Sequence, residues 1–176
     1  KYVEDDFVGS MAYYTNDYPD LVNSPEEFVY YVPTNDIQTT YYDRDYANGY
    51  ESDLILDPSA WDKSSYYMVF MCGDDKIVHI QTDCDNDRRL VIFKDSYGNA
   101  LVPCLTSSFS EIYVCDMRYF NLNAIDFIQE EAKATDVLFC MNLFSANGPN
   151  GQDLEVVRTQ NAAYDTSSWE DADTEF

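Results

Sequence analysis

"LVIFKDSYGNALVPCLTSSFSEIYVCD" (90–116) decides the fold. It opens on a continuous apolar run and closes on another, and between them lie an Asp-Ser pair and a segment of helical length. Continuous rather than alternating apolar runs, separated by such a segment, are the pattern of parallel strands buried on both faces. Outward from this stretch, "YYMVFM" (66–71), "IVHIQT" (77–82) and "DVLFCMNL" (136–143) read as further strands. "NLNAIDFIQEEA" (121–132) reads as a second helix, with Asn121 or Asn123 as its N-cap. The order strand, helix, strand, helix, strand predicts an α/β core with a parallel sheet over residues 66–157. Pro103 fits the first helix only if that helix starts late enough to hold it in the first turn.

Residues 1–65 differ. Tyrosine-rich pieces, "MAYYTNDY" (11–18), "FVYYVP" (28–33) and "TTYYDRDY" (39–46), alternate with Asn, Asp and Pro. This portion is expected to be irregular, with a few antiparallel strands and a helix start at "NSPEEF" (23–28), and to pack on the same domain. After Leu143 a turn-rich "SANGPNGQD" (145–153) and a last strand "LEVV" (154–157) are expected, then an acidic, mobile tail over 158–176.

At 176 residues and 45% hydrophobic content the chain can bury one core, yet 33 Asp plus Glu against 10 Lys plus Arg leave a formal charge of -23. That field repels nucleic-acid phosphates and anionic lipid, so neither is an expected partner. No apolar run is long enough to span a bilayer. Because the sequence opens at Lys1 and passes at once into acidic and aromatic residues, it is expected to be a processed product or an excised piece. Five cysteines, an odd number without a CxxC pair, exclude a full disulfide framework and give zinc no footing.

Asp95-Ser96 stands at the carboxyl end of an expected parallel strand, where ligands gather in open sheets. Ser96 there can be a nucleophile near backbone N–H groups, with Asp95, Tyr97, Gly98 and Asn99 in support; equally, Asp and Ser are common helix caps. A serine needs a base, and the one histidine, His79, is the candidate, set against the plainer reading of a satisfied strand residue. "DCDND" (83–87) alternates carboxylates but has Arg88 and Lys94 where a calcium loop needs Gly and Glu, so no metal is assigned, and no cofactor. The many tyrosines suit either packing or a sugar-stacking surface.

"YMVFMCGDDKIVHIQT" (67–82), "RRLVIFKDSYGNALVPCLTSSFSEIYVCDMRYFN" (88–121) and "TDVLFCMNL" (135–143) together resemble the carboxyl-terminal half of the DHHW family, with a looser fit at "FVGSMAYY" (7–14). The family comprises secreted bacterial proteins related to SGNH hydrolases and to the alginate O-acetyltransferase group. The resemblance implies an SGNH-like three-layer α/β/α sandwich, Ser96 as nucleophile, an oxyanion donor at Gly73, and an extracellular or cell-envelope location. The implied activity is that of a serine esterase or O-acyltransferase on acylated polysaccharide. The family's Asp-His-His-Trp motif is absent, and Cys72 replaces one glycine of the usual pair beside Gly73. The chain therefore resembles the later part of a longer protein whose missing portion is a partner, or a member without its catalytic arm. In the second case it is a glycan- or protein-binding module of the same fold.

Overall fold

The computed structural model describes residues 1–147, so the expected strand at 154–157 and the tail at 158–176 lie outside the described residues. In chain order the elements are β1 (Tyr2–Phe7), α1 (Ser10–Tyr14), α2 (Pro19–Val22), β2 (Glu26–Tyr30), β3 (Ile37–Tyr42) and β4 (Tyr50–Glu51). They are followed by β5 (Ile77–Thr82), β6 (Arg89–Lys94), α3 (Val102–Leu105), β7 (Glu111–Asp116), α4 (Ala124–Asp126), β8 (Asp136–Cys140) and α5 (Leu143–Asn147).

β1 and β2 form an antiparallel pair, and the other six strands form one mixed sheet in the order β4-β3-β5-β7-β6-β8. The expectation of a parallel sheet is thus corrected. β7, β6 and β8 are mutually parallel, whereas β5 runs antiparallel to both β3 and β7. The reason lies in the connection. Only residues 83–88 separate β5 from β6, and a parallel strand requires a crossover of a dozen or more residues.

Two other expectations fail. "NSPEEF" leads into β2 because Phe28 and Tyr30 point inward at a spacing of two, a strand period. "YYMVFM" forms a 3-10 turn over Tyr66–Val69, and only Phe70 bridges to another segment, at Ile55. Its rings serve a cluster rather than a ladder. Phe28, Tyr30, Val69 and Phe70 are buried together, with Phe7, Trp61, Tyr66, Tyr67 and Ala100 packed against them.

The first expected helix divides into a 3-10 turn, Ser96–Gly98, and α3, which holds Pro103 in its first turn where no N–H is needed. Asn123 caps α4, its side chain accepting from the Asp126 amide at 3.0 Å; a π turn over Phe127–Glu131 follows. α3 adds Val102 and Leu105 to one core with Val78, Ile80, Ile92, Ile112 and Val114. The α4 side adds Ala124 and Phe127 to the other, with Ile77, Val91, Phe93, Tyr113 and Cys115.

The two crossovers therefore cover opposite faces of the sheet. The chain leaves β6 over one face to reach β7, then leaves β7 over the other and passes β6 to reach β8. Such a reversal opens a crevice between the carboxyl ends of the two strands concerned, here β6 and β7.

Candidate functional site

The crevice holds the end of β6, Lys94-Asp95-Ser96, beside the end of β7, Asp116-Met117-Arg118, with Lys94 paired to Asp116 in register. Asp95 is 3% exposed and fully engaged. Its Oδ1 accepts from the Tyr97 amide at 3.0 Å, while Oδ2 accepts from the Asn142 amide and side chain at 2.8 and 2.7 Å. Asp95 is thus the N-cap of the turn and ties it to the chain leaving β8. The capping role belongs to Asp95 and leaves the Ser96 hydroxyl unused. Ser96 is half-buried, and its Oγ bonds no described residue.

The turn is held tightly around this free hydroxyl. Tyr67 donates its hydroxyl to Ser96 O at 2.9 Å and accepts from the Ala100 amide at 3.4 Å. Gly98 is buried because the turn folds back over β6; a Cβ there would stand 2.7 Å from Lys94 Cβ. Tyr97, 72% exposed, forms part of the outer rim. The amides of Tyr97, Gly98 and Asn99 are spent on Asp95 Oδ1, Asp95 O and Ser96 O. Those of Ser96 and Gly73 donate to no described residue. An N–H without another acceptor is what the oxyanion role expected of Gly73 requires.

Gly73 is tied to the turn through its neighbour Asp74, which accepts from Asn99, and it is reached through unusual backbone. Met71, Cys72 and Gly73 have φ of 63, 53 and 117°, a run of left-handed residues of which only the last is glycine. Each non-glycine residue held there costs roughly 1–3 kcal/mol, a cost that surrounding contacts must offset. The contacts that follow are ionic. Asp74 Oδ1 accepts from Lys94 Nζ at 2.8 Å and from Asn99 Nδ2 at 2.9 Å, and its Oδ2 accepts from Arg118 Nη2 at 2.9 Å. Asp116, fully buried, accepts from Arg118 Nε at 2.9 Å, from Arg118 Nη2 at 2.8 Å and from Lys94 Nζ at 3.3 Å.

Two cations and two carboxylates neutralise one another inside a strongly acidic chain. Burial pushes the Asp74 carboxyl up, but Lys94, Asn99 and Arg118 together outweigh it and hold the group below the usual carboxylate range. The sequence reading missed this network. Its signal was a lone charge ending each of two apolar runs, Lys94 in "LVIFK" and Asp116 in "IYVCD".

The structure does not bring His79 to Ser96. It lies opposite Tyr113, three residue steps or about 10 Å along the strands from the Lys94–Asp116 level. It also shares the face of Ile77 and Tyr113, whereas Lys94 and Asp116 alternate onto the other. Its ring stacks on Tyr113 at 4.2 Å, and its Nε2 lies 3.0 Å from Glu111, which also accepts from the Tyr113 hydroxyl. The satisfied strand histidine is the reading that fits. Among the described residues no cluster of three or more His, Cys, Asp or Glu is arranged to hold a metal ion.

The chain is thus a mixed α/β protein with Ser96, relieved of capping by Asp95, at the switch point of its sheet. The DHHW protein family profile matches residues 2–115, and the crystal structure of a DHHW family protein from Eubacterium siraeum is 44% identical, with a TM-score of 0.79. This chain belongs to the DHHW family. The likeness covers 88% of this chain and 52% of that one, so the chain spans about half the length of its solved relative. Bacillus cereus PatB1 is also similar, at 26% identity and a TM-score of 0.56 over 67% of this chain and 40% of PatB1. Its structure with a sulfonyl adduct is similar at 25% identity and 0.56 over 67% and 41%. No curated protein sequence matches the chain.

Proposed function

We propose that the chain is the nucleophile-bearing part of an SGNH-like serine esterase or O-acyltransferase acting on acylated extracellular polysaccharide. In the whole protein its sheet belongs to a three-layer α/β/α sandwich, exported to the cell envelope or beyond. One observation carries the reading: a half-buried serine at the carboxyl-end crevice between β6 and β7 whose capping duty is taken by Asp95, leaving its hydroxyl unpartnered among the described residues. Ser96 Oγ attacks the acyl carbonyl carbon, and its proton passes to a histidine of the longer family protein. The carbonyl electron pair moves onto oxygen, where the Ser96 and Gly73 amides stabilise it. Collapse expels the sugar oxygen, which takes the proton; water or a second hydroxyl then removes the acyl group from the serine. A sulfonyl adduct is the product of a nucleophile attacking a sulfonyl electrophile, and its occurrence on PatB1 supports the same reactivity here.

The test is Ser96→Ala in the native full-length protein, assayed for release of acetate from acetylated glycan and from a 4-nitrophenyl ester. Loss of at least about 10³-fold in kcat is expected. Equal turnover in both proteins removes the proposal.

A second reading rests on the exposed rings of α1 and its flank, Tyr13 at 73%, Tyr14 at 65% and Tyr18 at 54%: a module that binds glycan by stacking. It predicts glycan binding that survives Ser96→Ala and is lost in Tyr13→Ala with Tyr14→Ala. Binding indifferent to both tyrosines rejects it.

A further inference from the structure

The segment 66–74 grips the Ser96 turn at both of its ends. At one end the Tyr67 hydroxyl donates to Ser96 O; at the other the Asp74 carboxylate accepts from Asn99, three residues beyond the serine. Between the two grips stand the left-handed residues Met71, Cys72 and Gly73. A strained run fixed at one end relaxes toward the other, so its conformation depends on both ties. The first side of the run is fixed independently: Met71 N donates to Leu54 O at 3.3 Å and Cys72 N to Met68 O at 3.1 Å. The far side, from Gly73 onward, has Asp74 as its anchor.

Asp74 is more elaborate than a fold lock requires. Its carboxylate meets three donors from three different elements: Lys94 on β6, Asn99 after the serine turn, and Arg118 after β7. Asn99 is 4% exposed, and its Nδ2 is turned to Asp74 at the expense of its Oδ1, which is buried without a partner. Flipping the amide would set two oxygens against each other, so Asp74 dictates the orientation and leaves a buried acceptor unsatisfied in the turn that follows the serine. A buried orphan of this kind costs free energy, and such costs concentrate at functional sites.

We infer that Asp74 is a positioning residue of the proposed esterase site: through Asn99 and Lys94 it fixes the left-handed 71–73 segment against the Ser96 turn, so that the Gly73 amide is held at one distance from the serine. The inference rests on the serine reading and adds to it a residue that touches neither the acyl group nor the nucleophile. The anchoring is electrostatic and shared with the strand ends, so the donor and the nucleophile move as one body.

The experiment uses the native full-length protein and the variants Asp74→Asn and Asn99→Ala. Reactive Ser96 is first counted by intact mass after treatment with a sulfonyl fluoride. Hydrolysis of 4-nitrophenyl acetate is then expressed as kcat per labelled serine, with KM measured separately. A residue that only stabilises the fold lowers the labelled fraction and leaves kcat per serine at the wild-type value. A positioning residue lowers kcat per serine, by about 10- to 100-fold, with KM within about twofold. Should Asp74→Asn not fold, Asn99→Ala keeps the ion pairs and carries the test. Unchanged kcat per serine in the folded variant overturns the inference while the serine reading stands. A wild-type protein without label at Ser96 overturns both.

Discussion

Around Ser96, single residues act through small spaces and shared hydrogen bonds. Gly98 lies where a Cβ would meet Lys94 Cβ at 2.7 Å, and strand β6 cannot give way because Lys94 is held by Asp74 and Asp116. Gly98→Ala is expected to destabilise the fold by about 1–3 kcal/mol in urea denaturation, the usual cost of overpacking. Asp74 gives a pH signature. Its folded pKa is below the unfolded value of about 3.9, so its contribution is complete at neutral pH and fades as pH falls through the folded value. Asp74→Asn should therefore lose most stability relative to wild type near pH 7, and the gap should narrow toward pH 3. A gap independent of pH would refute the assigned charge state. At this scale the sequence was half legible. Ser96, Asp95, Gly98 and Asn99 were visible as neighbours in one short stretch, but the partnership of Asp74 with Lys94 and Arg118 spans 20 and 44 positions and exists only once the sheet is assembled.

At the scale of elements, β6 and β7 are the frame. Their apolar runs are legible because burial on both faces is a local property, and of the alternatives left open at Pro103 the structure takes the late start, with Pro103 in the first turn of α3. Strand direction is not local. β5 opens on apolar residues buried on both faces, like those of β7, and its antiparallel course follows only from the shortness of residues 83–88. The left-handed run at 71–73 was invisible for a related reason: Met and Cys do not favour that backbone and are held there by distant ties. Hydrogen exchange should rank the elements accordingly, with amides of β6 and β7 slowest and those of the two-residue edge strand β4 among the fastest. Asn142→Ala, which removes one of the bonds between the β8 exit and Asp95, should cost about 1–3 kcal/mol and speed exchange at the end of β8.

For the whole molecule, charge and aromatic packing set the balance. The tyrosine-rich amino-terminal portion packs a ring cluster behind residues 66–70, the same segment whose Tyr67 pins the serine turn, so that portion is mechanically part of the site. Against this cohesion stands a formal charge of -23. Added sodium chloride should raise the thermal midpoint by screening repulsion, most steeply below about 0.1 M where the screening length exceeds about 10 Å; a midpoint that falls over that range would show that ion pairs, such as those at Lys94, dominate instead.

In the reading proposed above, Ser96 is the nucleophile and Asp95 the cap of its turn. Treatment of the native full-length protein with a sulfonyl fluoride, followed by intact mass and peptide mapping, tests this at the serine itself. One adduct per chain is expected, on Ser96, and none in Ser96→Ala. An unlabelled protein, or a label that persists in Ser96→Ala, would contradict it.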